Sequence, residues 1–535
     1  MHHPKRKQSP VKRMKWLLAT TAAVAALALA GCSPTAGTPV KTASDHTFVV
    51  GIPANPAQFN LGVTNESSAT FVARSIFDPL VNLDTDYKVE PALAKSWEAN
   101  ADSTKFTLHL RQGVKWHDGK PFTSEDVKFY FDKVIPIHPL GAPIAAVYDK
   151  TETPDANTAV VSLKSPFAPF IQALAGHMML PAHLYEGTDI ATNPYNLKPV
   201  GTGPFVFKSF TSGDSVVVER NKDYWGEKGD VSRVVYRIMP DANARALAFQ
   251  SGEVDLATML PLNQVKGLKA DKRFAFDKAA MAEHLYAFFN TASPMLQNPD
   301  VRQALYRAID RKEIASKVFL GNGTPSKSPV PNQVTWAIDP STDYTKQFSY
   351  DIQKAGSLLD AAGLPKKSDG KRFSLTLVYR TDDAAWASTA DLIKTSFAKV
   401  GVEVNLVGQD TQVFADTVYS KHGFDLALQS LGAYADPSLG VARAFICNPT
   451  NGNYRNPTGV CDQGIDQAFA ATAVVSDQKE RLAAFKTAAS AVADVLGTAP
   501  LISYNQITSY RADKWSGLEK FNSTDVWTWG ALRAK

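Results

Sequence analysis

The stretch FSLTLVYRTDDAAWASTADLIKTSFAKVGVEVNL, residues 373–406, decides the fold class. Phe373, Leu375, Leu377 and Tyr379 alternate with Ser374, Thr376 and Val378, the two-residue period of a strand. Residues 386–400 then predict a helix that stops at Gly401, a residue free to take the left-handed backbone of a helix exit. Val402, Val404 and Leu406 begin a second strand, and FDLALQS, residues 424–430, supplies a third. Strand, helix and strand in succession imply a parallel βαβ core with right-handed crossovers, an α/β fold. Ligands in such sheets sit beyond the carboxyl ends of the strands. Those ends are YRTDDAAW, residues 379–386, and SLGAYADPS, residues 430–438.

Moving toward the N-terminus, Asn298-Pro299-Asp300 opens a helix with a capping side chain, proline in the first turn and an early acid. Val301, Ala304, Leu305, Ala308 and Ile309 fall on one face of it. A second helix, around Ala355, Leu358, Leu359 and Ala362, ends at Gly363 with Pro365 beyond. Residues 105–134 differ in character. They read as an alternating strand (Phe106, Leu108, Leu110), a turn at Asp118-Gly119, and a helix whose start pairs Thr123 with Asp126 in capping-box spacing. The βαβ core is thus flanked by an α+β region. The chain has 535 residues, 44% hydrophobic and 20% charged, an ordinary globular composition of a length that calls for two or three domains.

The first 31 residues stand apart. Lys5, Arg6, Lys7, Lys12, Arg13 and Lys15 precede fifteen uncharged residues, 16–30, the pattern of a secretory signal. Fifteen residues at about 1.5 Å rise fall short of a hydrocarbon core roughly 30 Å thick, which argues against a spanning helix. Leu29-Ala30-Gly31-Cys32 resembles the bacterial lipobox, which implies cleavage before Cys32 and lipidation of its thiol. Two or more acyl chains would anchor the protein to the membrane where one would not, and residues 32–45, rich in Gly, Ser, Thr, Pro and Ala, read as the tether. Without residues 1–31 the net charge changes from +5 to −1, with 51 basic residues against 52 acidic ones. The apparent basicity belongs to the signal, and the interspersed remainder gives no nucleic-acid stripe. Cys447 and Cys461 are then the remaining cysteines. Outside the cytoplasm so close a pair reads as a disulfide; the alternative, a redox or metal site, lacks supporting ligands nearby.

Six stretches in order, residues 90–127, 180–187 (LPAHLYEG), 199–210 (PVGTGPFVFKSF), 252–256 (GEVDL), 288–314 and 350–364 (YDIQKAGSLLDAAGL), resemble the large solute-binding proteins of bacterial ABC importers, in the peptide/nickel class. The resemblance covers nearly all of the chain beyond the signal. It implies a fold of the type II periplasmic-binding-protein kind, with two ligand-binding lobes joined by a hinge plus an extra domain. Domain I would be discontinuous (46–82, 201–288 and 506–535), with domain II at 83–200 and domain III at 289–505. The implied function is capture of a solute, foremost a peptide, outside the membrane by a monomer that delivers it to permease and ATPase partners. Hinge closure suits this task, because a ligand touching both lobes favours the closed state by its differential affinity.

Dipeptide binders of this class use an arginine after a domain III strand for the ligand carboxylate, a part that falls to Arg380; a guanidinium is chemically apt for it, and a solvated strand-end charge is the alternative. They use an aspartate within a GDxxDP pattern for the ligand amine. Here the segment is Gly432-Ala433-Tyr434-Ala435-Asp436-Pro437, so Asp436 matches the trailing acid while Ala433 stands where the amine-binding one would be. Ser430 replaces the tryptophan that precedes the pattern. This departure favours a longer peptide, an oligosaccharide, or another polar metabolite over a free dipeptide. Trp336, Trp386, Tyr434 and Trp527 are stacking candidates, with core or surface packing as the alternative, and the analogy turns Asn65 and Glu66 toward the cleft.

Nickel is the metal option of the class, but His177 and His183 sit in a stretch that matches a structural pattern, and with His422 they read as packed histidines. Asp84 and Asp86 lack the following ligands of a calcium loop. No cofactor motif is found. A secreted, lipid-anchored hydrolase is the rival class; the chain has no G-x-S-x-G, no H-E-x-x-H and no spare cysteine.

Overall fold

The computed structural model describes residues 46–84, 88–277, 282–434, 436–518 and 529–535. The signal at 1–31, the lipidated Cys32, the tether to 45, Asp86 and Trp527 lie outside the described residues. The decisive stretch folds as its period dictates. Phe373–Arg380 is a strand, Ala384–Lys399 a helix capped by the Asp383 side chain on the Ala385 amide, and Val402–Gln409 a strand paired parallel to the first. Leu426–Gly432 lies parallel on its other side. The other expected helices are Pro299–Ala308, where Asn298 caps the Asp300 amide at 2.9 Å, Ile352–Ala361, and Ser124–Phe129 with a reciprocal Thr123–Asp126 capping box.

Three large sheets result. The six-stranded sheet runs Gly323–Pro325, Thr498–Asn505, Ala282–Phe289, Leu426–Gly432, Phe373–Arg380, Val402–Gln409. The parallel trio thus ends in antiparallel strands, because Ala282–Phe289 pairs antiparallel to both its neighbours. This strand, expected in domain I, belongs to the six-stranded sheet; all eight of its residues are buried, so no alternation marks which sheet it joins. The seven-stranded sheet gathers Thr47–Ile52, four strands between residues 205 and 257, Phe274–Asp277 and Thr508–Arg511. Lys105–Leu110 sits in a four-stranded antiparallel sheet with Ala94–Ala99, Thr158–Leu163 and Tyr148–Asp155. One continuous apolar core runs from the seven-stranded into the four-stranded sheet, and the six-stranded sheet has its own. The chain passes between these two cores twice, after Asp277 and after Asn505. Among the described residues no helix is long and apolar enough to cross a membrane.

Cys447 and Cys461 are disulfide-bonded. The enclosed loop is organised by the buried Asn456, whose amide donates to the carbonyls of Phe445, Ile446 and Val460 and whose oxygen accepts from the Thr458 amide and hydroxyl. A staple of this size contributes about 3 kcal/mol by the chain-entropy account.

Three histidines are packed away from water and a fourth, His117, is half-buried. His117 accepts from the Gly201 amide through Nδ1, with Nε2 3.0 Å from the Gly203 carbonyl, and burial pushes it down to about 4. Burial pushes His177 and His284 down to about 3, and His138, which lies against His177 with ring centroids 4.3 Å apart, well below its ordinary value. In the unfolded chain these rings take up protons below about pH 6.5, whereas the folded chain resists. Stability present at neutral pH is therefore lost from about pH 6.5 downward, by about 2 kcal/mol for each such histidine at pH 5. Asp78 works the other way: burial lifts it to about 6, so acidification to pH 5 returns about 1 kcal/mol. The histidines outnumber it, and the urea midpoint is expected to fall between pH 7 and pH 5. A midpoint that rises over this interval would contradict the buried neutral state.

Candidate functional site

Four adjacent strands of the six-stranded sheet bring their ends to one rim. The parallel strands end there at Arg380 and Gly432, and the antiparallel register sets Glu283, near the start of its strand, opposite both Gly432 and Tyr504. The Glu283 carboxylate collects three donors: Ser430 Oγ at 2.8 Å, the Tyr504 hydroxyl at 2.6 Å and Gln506 Nε2 at 2.5 Å. Ser430, one of the expected site residues, is thus joined to an acid that its own segment does not supply. Glu283, Tyr504 and Gln506 were not legible as site residues. The signal for Glu283 was a charge set in an apolar strand, and the pairing that gives it meaning is set by residues 147 to 223 positions away.

Arg380 is mostly buried, its side chain 18% exposed. Asp382 grips it at Nε, 3.0 Å, and Nη2, 2.8 Å, and the guanidinium stands 5.7 Å from the Trp386 ring centroid. Burial, the largest single influence, pulls its affinity for the proton down, but the Asp382 charge and hydrogen bond together with Tyr454 and Tyr504 outweigh it and hold the guanidinium above the usual arginine range. Arg380 is thus a part-buried, ion-paired strand-end charge rather than a freely solvated one. Trp386 is buried, and its Nε1 has no hydrogen-bond partner. An unmet buried donor beside a guanidinium is an arrangement suited to an incoming oxygen acceptor.

Asp383, next in sequence, caps the helix that follows. Burial lifts its carboxyl; the Ala385 amide, Arg380 and Arg245 oppose the lift, and Asp382 adds to it. Arg245 belongs to Ala242–Ser251, a helix beside the seven-stranded sheet, and its guanidinium is spent on the carbonyls of Thr258, Met239 and Met259. The two sheet systems meet electrostatically at this pair.

Several expected contacts take other places. Asp436 is buried and its Oδ1 accepts from the Ser438 amide and hydroxyl and pairs with Arg481 at 2.6 Å, so it holds the fold rather than offering a carboxylate to a ligand. Trp336 covers that pair, with Arg481 4.8 Å from its ring centroid, and so packs instead of lining the rim. Asn65 is exposed; Glu66 precedes the helix Ser67–Ile76 and accepts the Ala57 amide at 3.2 Å, its carboxyl lifted by burial against that bond. Tyr434 lies over Arg443, 4.6 Å from guanidinium carbon to ring centroid. His177 packs against His138 with the rings tilted, His183 meets Asp118 at 2.6 Å, and His422 Nδ1 lies 3.1 Å from the Pro457 carbonyl; the three are not gathered.

Residues 88–452 match the sequence model for the bacterial extracellular solute-binding proteins, family 5, middle part. The chain is 32% identical over 429 residues to heme-binding protein A of Haemophilus influenzae, covering 74% of this chain and 77% of that one. It is 31% identical over 414 residues to the glutathione-binding protein GsiB of Pectobacterium atrosepticum, covering 76% of each. In fold it is similar to NikZ from Campylobacter jejuni, solved with Ni(L-His), at a TM-score of 0.82 and 23% identity over 92% of this chain and all of the other.

Proposed function

Because the chain belongs to the bacterial extracellular solute-binding proteins of family 5, we propose that it captures a peptide or peptide-like solute between its two cores and delivers it to the permease of an ABC importer. The observation that carries this reading is the rim, where Arg380, Ser430, Glu283 and Tyr504 converge from four strands and Trp386 joins Arg380 from the helix that follows its strand. In this reading Arg380 and the unmet Trp386 Nε1 receive the carboxylate end of the solute. Glu283 supplies the negative charge for an amine that Ala433 lacks, from the neighbouring strand. The segments of the seven-stranded sheet and those of the six-stranded sheet form the two lobes, and the crossing between Asn505 and Thr508 lies at the hinge. The protein works as a monomer, binds without turnover, and is held to the outer face of the membrane by lipid on Cys32.

Native mass spectrometry of the protein as purified, followed by a melting series with di- to pentapeptides, maltooligosaccharides and nickel–histidine, tests the reading. A peptide at 100 times its Kd adds about 2.7 kcal/mol, a shift a melting curve registers, and the peptide is expected back intact by chromatography. Recovery of cleaved peptide would restore the hydrolase reading. Shifts with sugars and none with peptides would move the function to an oligosaccharide binder.

A further inference from the structure

A second guanidinium, on the segment that follows the rim strand Leu426–Gly432, has no counter-charge among the described residues. Arg443, on the short turn of helix Ala442–Ala444, is half-buried. Its Nε donates to the Gly440 carbonyl at 3.0 Å and its plane lies against the Tyr434 ring; among the described residues no carboxylate pairs with it. Arg380, by contrast, has Asp382. Tyr419 is fully buried, with a hydroxyl that has no hydrogen-bond partner. Burial pushes this phenol up and Tyr454 adds to the push, while the charges of Arg443 and of Arg380 both act the other way. Tyr454 packs on Tyr419 with ring centroids 5.6 Å apart. Tyr434 and Tyr454 both hold left-handed backbones, φ 52° and 59°, conformations that cost a non-glycine residue energy and gather at ligand clamps.

We infer that Arg443, with the Tyr419 hydroxyl and the Tyr434 and Tyr454 rings, forms a second anion subsite, so that the preferred solute is an acidic peptide carrying a side-chain carboxylate besides its terminal one. The inference rests on the peptide reading above and narrows it. An uncompensated, half-buried guanidinium is costly to the empty protein; a ligand carboxylate supplies the missing charge, and a phenol can donate a hydrogen bond to the same oxygen. An amide of equal shape could accept that hydrogen bond but would leave the charge unmet.

The test is calorimetric titration of matched pairs, Ala-Glu against Ala-Gln and Ala-Ala-Glu against Ala-Ala-Gln, with the wild type, Arg443→Gln and Tyr419→Phe. The wild type is expected to prefer the acid by about tenfold or more, Arg443→Gln to bring the pair within about twofold while keeping its affinity for the amide, and Tyr419→Phe to lose part of the preference. Tyr419→Phe removes an unpartnered hydroxyl, so its melting temperature is expected unchanged, which keeps the test valid should Arg443→Gln fold poorly. Equal affinities in the wild type, or a preference untouched by both variants, would overturn the subsite and leave the peptide reading standing. No binding of any of the four peptides, with a solute of another class bound instead, would overturn the peptide reading and this inference together.

Discussion

Arg380→Ala is expected to weaken binding of peptides with a free C-terminal carboxylate by about 30-fold or more. Truncating one side of a buried charge pair costs about 2–5 kcal/mol, and each 1.4 kcal/mol is a factor of ten. The geometry makes the loss steep. Asp382 fixes the guanidinium from one side, at 3.0 and 2.8 Å, and Trp386 lies under it, so the arginine is oriented before any solute arrives. Removing it leaves Asp382 without its cation at the mouth of the site, where it repels an incoming carboxylate. Peptides amidated at the C-terminus carry no such charge and are expected to lose far less. The measurement is the ratio of the two affinities in each protein; a ratio that stays constant would remove Arg380 from the carboxylate contact.

The second large effect is on folding. Asp436→Ala is expected to destabilise the protein by about 3–5 kcal/mol, the cost of leaving one member of a buried ion pair alone. Asp436 is 4% exposed and Arg481 8%, and Arg481 lies against the Trp336 and Phe485 rings, 4.8 and 5.9 Å from their centroids, where water offers little relief. The same Asp436 oxygen caps Pro437–Gly440 through the Ser438 amide, so the turn after the site loosens as well. Pairing the change with Arg481→Met removes the stranded charge and is expected to recover much of the loss, with peptide affinity close to that of the wild type. Urea denaturation reads the first effect and titration the second. An unchanged midpoint with abolished binding would return Asp436 to the ligand.

These two residues show what could be read from the chain and what could not. The strand at 373–380 and its helix were legible because their periods are local, and Arg380 followed from the resemblance to dipeptide binders, which use an arginine after that strand. Cys447 and Cys461 were legible by spacing. Asp436 matched a pattern of residues, but its partner, 45 positions on, decides its part. Glu283 escaped for a related reason: Ala282–Phe289 is covered on both faces, so its sequence carries no alternation to show which sheet it joins or which residues it faces. Arg443 escaped because a single cation in an apolar run says nothing about whether an acid stands opposite.

The disulfide described with the fold encloses Tyr454, whose ring lies on Tyr419 and whose phenol acts on Arg380. In a reducing compartment that loop would be open and the tyrosine free to leave its left-handed turn. If Tyr454 belongs to the second subsite as inferred, a copy with this bond reduced would hold an acidic peptide more weakly than the oxidised one.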